Sequence, residues 1–260
     1  MRQSNETLLR IGLPALCLAI VYAGWTFYVH NAEISPFVLP PPGKIGAAFY
    51  KLMFDPAAWH HARITVIETL GGFFCAVVAG IVAGAAMAKF QLLEWAFKPF
   101  IIILQLVPKI ALAPLFVLWF GFGLESKIVI SGVLSFFPIF ANTLLAIKSV
   151  DAGDREVFAS LRARPMQTFM LLEWPSALPV ILTGMEIAIV LATIGAIVGE
   201  FIGGNAGLGH LALAKLQELQ VDGLFAVILM LTLIGLAMYG SVTLLRRLLA
   251  PWHQASGNVL

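Results

Sequence analysis

The chain has 260 residues, of which 60% are hydrophobic and only 12% are charged, and its mean hydropathy is +0.93. Soluble proteins carry about 25% charged residues, so this deficit excludes an ordinary soluble domain and indicates a protein of the lipid bilayer. The formal net charge of +2 gives no reason to expect nucleic acid as a partner. The two cysteines, Cys17 and Cys75, fall inside apolar segments, which argues against a disulfide or a metal site.

Six apolar segments are long enough to cross a bilayer as helices, because the hydrocarbon layer requires about 20 residues. They predict an all-α, polytopic membrane protein whose residues 1–260 form a single domain. The first segment is expected to stay attached as an anchor, since no small-residue cleavage site follows it. The predicted spans lie near residues 11–29, 66–88, 100–120, 128–147, 178–202 and 224–245.

Basic residues predict the orientation of these spans, because the cytoplasmic side of a membrane protein collects lysine and arginine. With the N-terminus inside, most basic residues fall on the inner side, so both termini are expected in the cytoplasm. The inner set is Arg2, Arg10, Lys89, Lys98, Lys148, Arg155, Arg162, Arg164, Arg246 and Arg247, and the outer set is Lys44, Lys51, Arg63, Lys127 and Lys215.

Between the first two spans, the prolines that end at Pro42 predict an extended stretch, and residues 45–52 predict a short interfacial helix. Glycines at helical spacing then occur in the second and fifth spans, where they let another helix approach closely. Both static helix packing and movement along a conduit explain such spacing. These glycines are Gly80, Gly84, Gly195, Gly199 and Gly203.

The third span contains Pro108 and Pro114, which free backbone carbonyls that must find partners in protein or water. Lys109 lies between them, at a depth where an ammonium group is costly. We therefore expect Lys109 to face a cavity, a carboxylate or carbonyl groups. Gln105 in the same span and Asn142 in the fourth join it as candidate residues of a translocation pathway.

Residues 151–175 form the one long polar interruption of the chain. A helix is predicted over residues 154–161, capped by Asp151 or Asp154. Pro165 is expected to open a second short helix that reaches Leu172 and ends at Trp174-Pro175. A helix-turn-helix outside the membrane indicates a docking partner.

The fifth span carries two carboxylates, Glu186 and Glu200. Carboxylates inside a membrane are candidates for a functional role. For Glu186, a structural pairing with a base such as Lys109 is an equally good explanation. Both residues enter the candidate pathway with that alternative open.

The polar loop resembles the coupling loop of ABC importer permeases, whose pattern is E-A-A-x3-G-x9-I-x-L-P. Glu156, Leu172 and Pro175 stand at its acidic, apolar and final proline positions. The resemblance implies a docking site for an ATP-hydrolysing subunit, formed by Arg155, Glu156, Ala159, Arg162, Arg164, Pro165, Leu172 and Pro175.

The loop departs from that pattern at three places. Val157-Phe158 replace the two alanines, and Trp174 replaces leucine. Arg162 replaces the glycine that normally makes the turn. Because Pro165 breaks the helix shortly afterwards and arginine is a good helix former, Arg162 is expected to be an ordinary helical residue.

The third span, with Ser126-Lys127 and residues 136–138 after it, resembles the nitrate, sulfonate, taurine and bicarbonate branch of the binding-protein-dependent permeases. The resemblance runs roughly from Leu39 to Arg247. It implies the six-span type I importer fold, a homodimer in the bacterial inner membrane, a cytoplasmic ATPase dimer that binds ATP and Mg²⁺, and a periplasmic solute-binding protein. The chain has no Walker A pattern, so it is expected to be a transport subunit without catalytic residues or a cofactor of its own.

The resemblance implies a small solute such as nitrate, a sulfonate or taurine, and a neutral heterocycle or vitamin precursor is the alternative. A different class of function is an ion-coupled secondary carrier with Lys109, Glu186 and Glu200 as its relay. Such carriers often contain inverted repeats, and no repeat is apparent here. The carrier hypothesis also leaves the polar loop unexplained.

Overall fold

The computed structural model describes residues 2–31, 35 and 37–252. These residues form helices joined by short turns, with no strand among them, so the prediction of an all-α protein is confirmed. The chain ends and the side chains of Arg2 and Arg10, which contributed to the predicted orientation, lie outside the described residues.

The described helices follow one another with short connections. They are α1 (Arg2–Asn31), α2 (Pro42–Met53), α3 (Pro56–Lys89), α4 (Gln91–Leu106), α5 (Ala113–Phe120), α6 (Leu124–Lys148), α7 (Ala152–Ser160), α8 (Pro165–Thr168), α9 (Trp174–Gly203), α10 (Leu208–Gln217) and α11 (Val221–Leu249). A 3-10 turn, Lys109–Leu112, precedes α5, and a π turn, Phe169–Glu173, joins α8 to α9. The short helix predicted over residues 45–52 corresponds to α2.

The chain divides into two compact units. The first consists of Met1–Trp59 with Leu211–Leu231, and the second of His60–His210 with Thr232–Leu260. The single membrane domain predicted over residues 1–260 stays a prediction. The second unit contains α4 to α9 and most of α3, and it carries the residues discussed below.

Five described helical segments are long and apolar enough to cross a membrane. They are Gly12–Asn31, Pro56–Lys89, Leu124–Lys148, Pro165–Gly203 and Val221–Leu249. A sixth span exists only if α4 and the segment Lys109–Phe120 count together, and these two are bent by 85°. The span predicted near residues 100–120 corresponds to this bent pair of segments.

The bend has a local cause in the proline at its corner. Val107 precedes Pro108 and takes an extended conformation, with φ −64° and ψ 128°, because a proline disfavours the helical conformation of the residue before it. Pro108 also lacks an N–H group and cannot continue the hydrogen bonds of α4. A hydropathy profile detects the apolar run but not this corner.

Helices α3, α6 and α9 form the core of the second unit, with α6 and α9 in the most extensive contact. Their close approach depends on glycines at which a side chain would collide. A Cβ added to Gly84 would lie 2.8 Å from the carbonyl oxygen of Phe140, and one added to Gly195 would lie 2.7 Å from Cα of Ser131. Four of the five glycines noted in the sequence therefore pack against α6, whereas Gly203 lies against Val117 of α5.

Candidate functional site

The polar loop after α6 begins with a capped helix. The side chain of Asp151 accepts hydrogen bonds from the backbone N–H groups of Gly153 (2.7 Å) and Asp154 (3.4 Å). These bonds satisfy donors that the first turn of α7 would otherwise leave unpaired. Of the two caps considered from the sequence, Asp151 is the one used.

The turn that ends α7 lies at Arg162, which has a positive φ of 53°. Its N–H donates to the carbonyl of Ala159 (2.9 Å), and the N–H of Ala163 donates to that of Phe158 (3.0 Å). This pair of bonds is the Schellman motif, whose left-handed position is usually glycine. The expectation that Arg162 is an ordinary helical residue is therefore wrong, because the turn stays where the family places its glycine.

The second helix opens at Pro165, as predicted, with the backbone N–H of Arg164 donating to Oε1 of Gln167 (2.8 Å). It does not end at Trp174-Pro175. The π turn Phe169–Glu173 leads directly into α9, and Pro175 lies in the first turn of that helix. Because Pro175 has no N–H group to donate to the preceding helical turn, the wider π turn before it accommodates this proline within a continuous segment. The segment is thus continuous from Pro165 to Gly203.

A buried carboxylate ties this loop to the rest of the second unit. Glu173 is only 3% exposed and forms ion pairs with Lys89, at the end of α3, and with Arg155 on α7. Arg155 also donates a hydrogen bond to the carbonyl of Ile147 at the end of α6 (2.6 Å). These contacts fix α7 against the ends of α3 and α6.

The opposite face of the loop is exposed. Glu156 lies at the surface of α7, and the apolar side chains of Val157 and Leu161 beside it are 56% and 72% exposed. A cleft of about 440 Å³ opens next to α8, lined by Ala85, Ala86, Lys89, Phe90, Pro165, Met166 and Phe169. Exposed apolar residues around an acidic group are typical of a surface that another protein covers.

Lys109 lies in a second cavity, of about 490 Å³, at the corner between α4 and α5. Its ammonium group is 4.4 Å from the centre of the Phe137 ring and 3.5 Å from the carbonyl oxygen of Gln105. The lining also includes Pro108, Ile110, Leu134, Pro138, Ala141 and Leu191. An aromatic face, one cation and one amide are thus presented to a largely apolar cavity.

The other candidate pathway residues are not part of that cavity. Asn142 donates to the carbonyl of Pro138 (2.8 Å) and lies against Gly184 of α9. Glu186 pairs with Arg246 of α11 at 3.2 Å, so Lys109 is not its partner as the sequence allowed. Of the predicted set, the cavity brings together only Gln105 and Lys109.

Glu200 instead holds the chain segment that follows α9. Its two carboxylate oxygens accept hydrogen bonds from the hydroxyl of Thr65 (2.6 Å) and the N–H of Gly209. The N–H of Leu208 donates in turn to the Thr65 oxygen (2.8 Å). This network fixes the start of α10 against α3.

Three charged residues of the second unit were not recognised from the sequence as part of a buried network. Lys127 was assigned to an outer loop, yet it is buried beside Glu68 of α3. Glu68 and Glu173 were not singled out. A charged residue within an apolar run, as at Glu68, was the available signal, because such residues require a partner.

Comparison with known proteins places these features in context. Residues 76–251 match the family described as binding-protein-dependent transport system inner membrane component. A formylaminopyrimidine transport permease of Halalkalibacterium halodurans is 36% identical over 84% of this chain and 87% of its own length. A riboflavin transport system permease of Chloroflexus aurantiacus is 35% identical over 94% and 90%. A putative aliphatic sulfonates transport permease of Bacillus subtilis is 31% identical over 94% and 87%.

A solved structure shows the same fold. In inward-facing conformations of the MetNI methionine ABC transporter, one chain superposes with a TM-score of 0.65 at 19% identity, over 75% of this chain and 98% of that one. At this identity the likeness establishes how the helices are arranged, and it carries no information about the solute.

Proposed function

Because this chain belongs to the family of binding-protein-dependent transport system inner membrane components, we propose that it moves a small solute from the periplasm to the cytoplasm by alternating access, driven by a separate ATPase. The predicted family and the type I importer permease fold are confirmed by the relatives and by the likeness to MetNI. The proposed assembly contains two copies of this chain, a cytoplasmic ATPase dimer that binds ATP and Mg²⁺, and a periplasmic binding protein. In this proposal both termini and the polar loop face the cytoplasm.

The observation that carries the proposal is the geometry of the loop around Arg162. A Schellman turn at the position of the family's glycine joins α7 to a second short helix that begins at Pro165. Their outer face exposes Glu156 with Val157 and Leu161. Ion pairs at Glu173 fix the inner face. A docked ATPase would therefore push on a segment that continues without a break into α9.

The exposed carboxylate of Glu156 offers the direct test. We expect Glu156→Lys to reach the membrane normally but to lose its ATPase, because the reversed charge would repel a basic group that recognises the carboxylate. ATPase recovery after affinity purification of the permease measures this. Glu218→Lys reverses a charge on the first unit, on the side predicted to face outward, and should recover the ATPase fully. Equal ATPase recovery from Glu156→Lys and wild type would contradict the proposal.

For the solute we favour a planar heterocycle over the sulfonate and nitrate class. The two relatives named for heterocycles have the higher identities of those compared, and the cavity at Lys109 presents the Phe137 ring beside Gln105. An aromatic face suits stacking of a planar ring, and an amide suits its polar edge. The second candidate, a small organic or inorganic anion, is favoured by the ammonium group of Lys109 itself.

The two solute classes are separated by measuring the stimulation of ATP hydrolysis in proteoliposomes. The vesicles contain the permease with its ATPase, and the cognate binding protein is added with one solute at a time. Stimulation by a pyrimidine or flavin, but not by taurine, an alkanesulfonate or nitrate, supports the heterocycle. The reverse pattern supports the anion. Uptake driven by a proton gradient without ATP would overturn both and support a secondary carrier.

A further inference from the structure

Two carboxyl groups and one ammonium group are buried together where α3, α6 and α9 meet. Glu68, Lys127 and Glu200 are 1%, 4% and 1% exposed. The ammonium group of Lys127 lies 4.0 Å from Oε1 of Glu68 and donates hydrogen bonds to the carbonyls of Phe122 (2.9 Å) and Gly123 (3.0 Å). With both carboxyl groups ionised, the cluster would hold one uncompensated negative charge away from water, which is strongly unfavourable.

The contacts of Glu200 identify it as the ionised member. Both of its oxygens act as acceptors, one from the hydroxyl of Thr65 and the other from the N–H of Gly209. In a protonated carboxyl group, one oxygen carries the proton and acts as a donor, so one of these two acceptor contacts would be weakened. The negative charge of the cluster therefore resides on Glu200.

A second positive charge is needed to balance the two carboxylates, and the imidazole of His61 does not supply it. Nδ1 of His61 accepts a hydrogen bond from the N–H of Gly207 (3.0 Å), so this nitrogen carries no proton and the imidazole is neutral. Among the described residues, the charged groups that lie beside Glu68 include Glu200 and Lys127. One further positive charge is thus needed at Glu68 itself.

One oxygen of Glu68 is available to bind a proton. Oε2 is buried and receives no hydrogen bond from any described donor, and the Glu68 side chain is a close neighbour of Glu200. Two ionised carboxylates are acceptors only and cannot form a hydrogen bond with each other. We propose that Glu68 is a proton-binding site, in which a carboxylic acid donates its proton to Glu200 and makes the cluster with Lys127 neutral.

This proton has a structural consequence, because Glu200 holds the start of α10. The acceptor bonds of Glu200 and Thr65 fix the backbone of Leu208 and Gly209. A neutral Glu68 strengthens that arrangement by donating to Glu200 instead of repelling it. A small cation such as Na⁺ would satisfy the same charge requirement, and the experiment distinguishes the two.

Infrared spectroscopy tests the proposal directly, since a protonated carboxylic acid has a C=O stretching band that ionised carboxylates lack. The full-length chain, with any subunits that remain bound, is measured at neutral pH in an ester-free detergent. Glu68→Gln keeps the shape of the side chain and offers Glu200 an N–H donor, so this variant is expected to stay folded. Glu186→Gln is the matched control, because the charge of Glu186 is compensated by Arg246 at 3.2 Å.

We expect wild type and Glu186→Gln to show the carboxylic acid band and Glu68→Gln to lack it. A wild-type spectrum without such a band overturns the proposal, whether or not the variant folds. An unchanged band in a folded Glu68→Gln also overturns it. Absence of the band in wild type, together with a thermal midpoint raised by sodium chloride but not by choline chloride, would assign the site to Na⁺ instead.

Discussion

The guanidinium group of Arg155 on α7 lies 3.6 Å from the carboxylate of Glu173, which is also paired with Lys89 of α3. One buried carboxylate therefore joins the first helix of the polar loop to the π turn and to the end of α3. Movement of α7 relative to α9 must break this contact or carry both basic residues with it. The loop and α9 are thus expected to move as one body.

Replacing the buried carboxylate should loosen the loop without unfolding the chain. We expect Glu173→Gln to weaken the attachment of α7 by about 1–2 kcal/mol, since both basic partners are partly exposed and can turn to water. Trypsin should then cleave faster after Arg155 and Arg162, because local cleavage follows the population of the open form.

The control for that experiment is Glu94→Gln, which removes the ion pair between Glu94 and Lys148. Within the described part of the chain, the ion-pair partner of Glu94 is Lys148 of α6 and not a residue of α7, so cleavage of the loop should proceed as in wild type. Equal cleavage rates for Glu173→Gln and wild type would show that the carboxylate does not hold the loop.

The strained turn predicts an unusual stabilising substitution. Arg162 has a left-handed conformation that costs a residue with a side chain about 1 kcal/mol and costs glycine almost nothing. We expect Arg162→Gly to raise the thermal midpoint slightly and Arg162→Val, which is β-branched, to lower it. Arg164→Gly is the matched control, because Arg164 has a φ of −68°, and it should give no gain. A lower midpoint for Arg162→Gly than for Arg164→Gly would contradict this account.

The ion pair between Glu186 and Arg246 predicts a strong asymmetry between single and double variants. Arg246→Met leaves a buried carboxylate without its partner and should destabilise the chain by about 3 kcal/mol or more. Replacing both residues, as Glu186→Leu with Arg246→Met, should recover much of that loss because no buried charge remains. Chemical denaturation of the four proteins in a double-mutant cycle measures the coupling. Additive effects would show that the pair is not a unit.

Lys109 is expected to affect transport more than folding. In Lys109→Met the interaction with the Phe137 ring is lost, which is worth about 0.5–2 kcal/mol, while the stem of the side chain still covers the cavity wall. We expect a thermal midpoint close to that of wild type and a reduced rate of solute uptake. Lys98→Met, on the exposed surface of α4, should leave uptake unchanged. Wild-type uptake by Lys109→Met would remove this residue from the pathway.

Local signals in the sequence predicted local structure well. Of the two caps that the sequence offered, Asp151 and Asp154, the first is used, and Pro165 gave the correct start of the second helix. From the sequence we expected Pro108 to leave backbone carbonyls without helical partners, but not to bend the chain. The hydropathy of an apolar segment does not indicate in which direction the chain continues. Arg162 was assigned to a helix by its propensity, which is a weak preference that the turn overrides.

The buried charges could not be paired from the sequence, since their partners are distant along the chain. Glu68 and Lys127 are on different helices, as are Glu186 and Arg246. Glu186 and Glu200 lie on the same helix, yet α11 supplies the partner of one and α3 holds the other. Only the three-dimensional packing of α3, α6, α9 and α11 decides these pairs.

The corner at Pro108 explains why Lys109 needs no carboxylate. Helix α4 ends there, so its last carbonyls lack helical donors and carry the negative end of the helix dipole. The ammonium group of Lys109 lies 3.5 Å from one of them, the carbonyl oxygen of Gln105. The cavity therefore presents a cation already partly offset by peptide dipoles, so a neutral polar molecule bound there would meet a weaker field than the formal charge suggests.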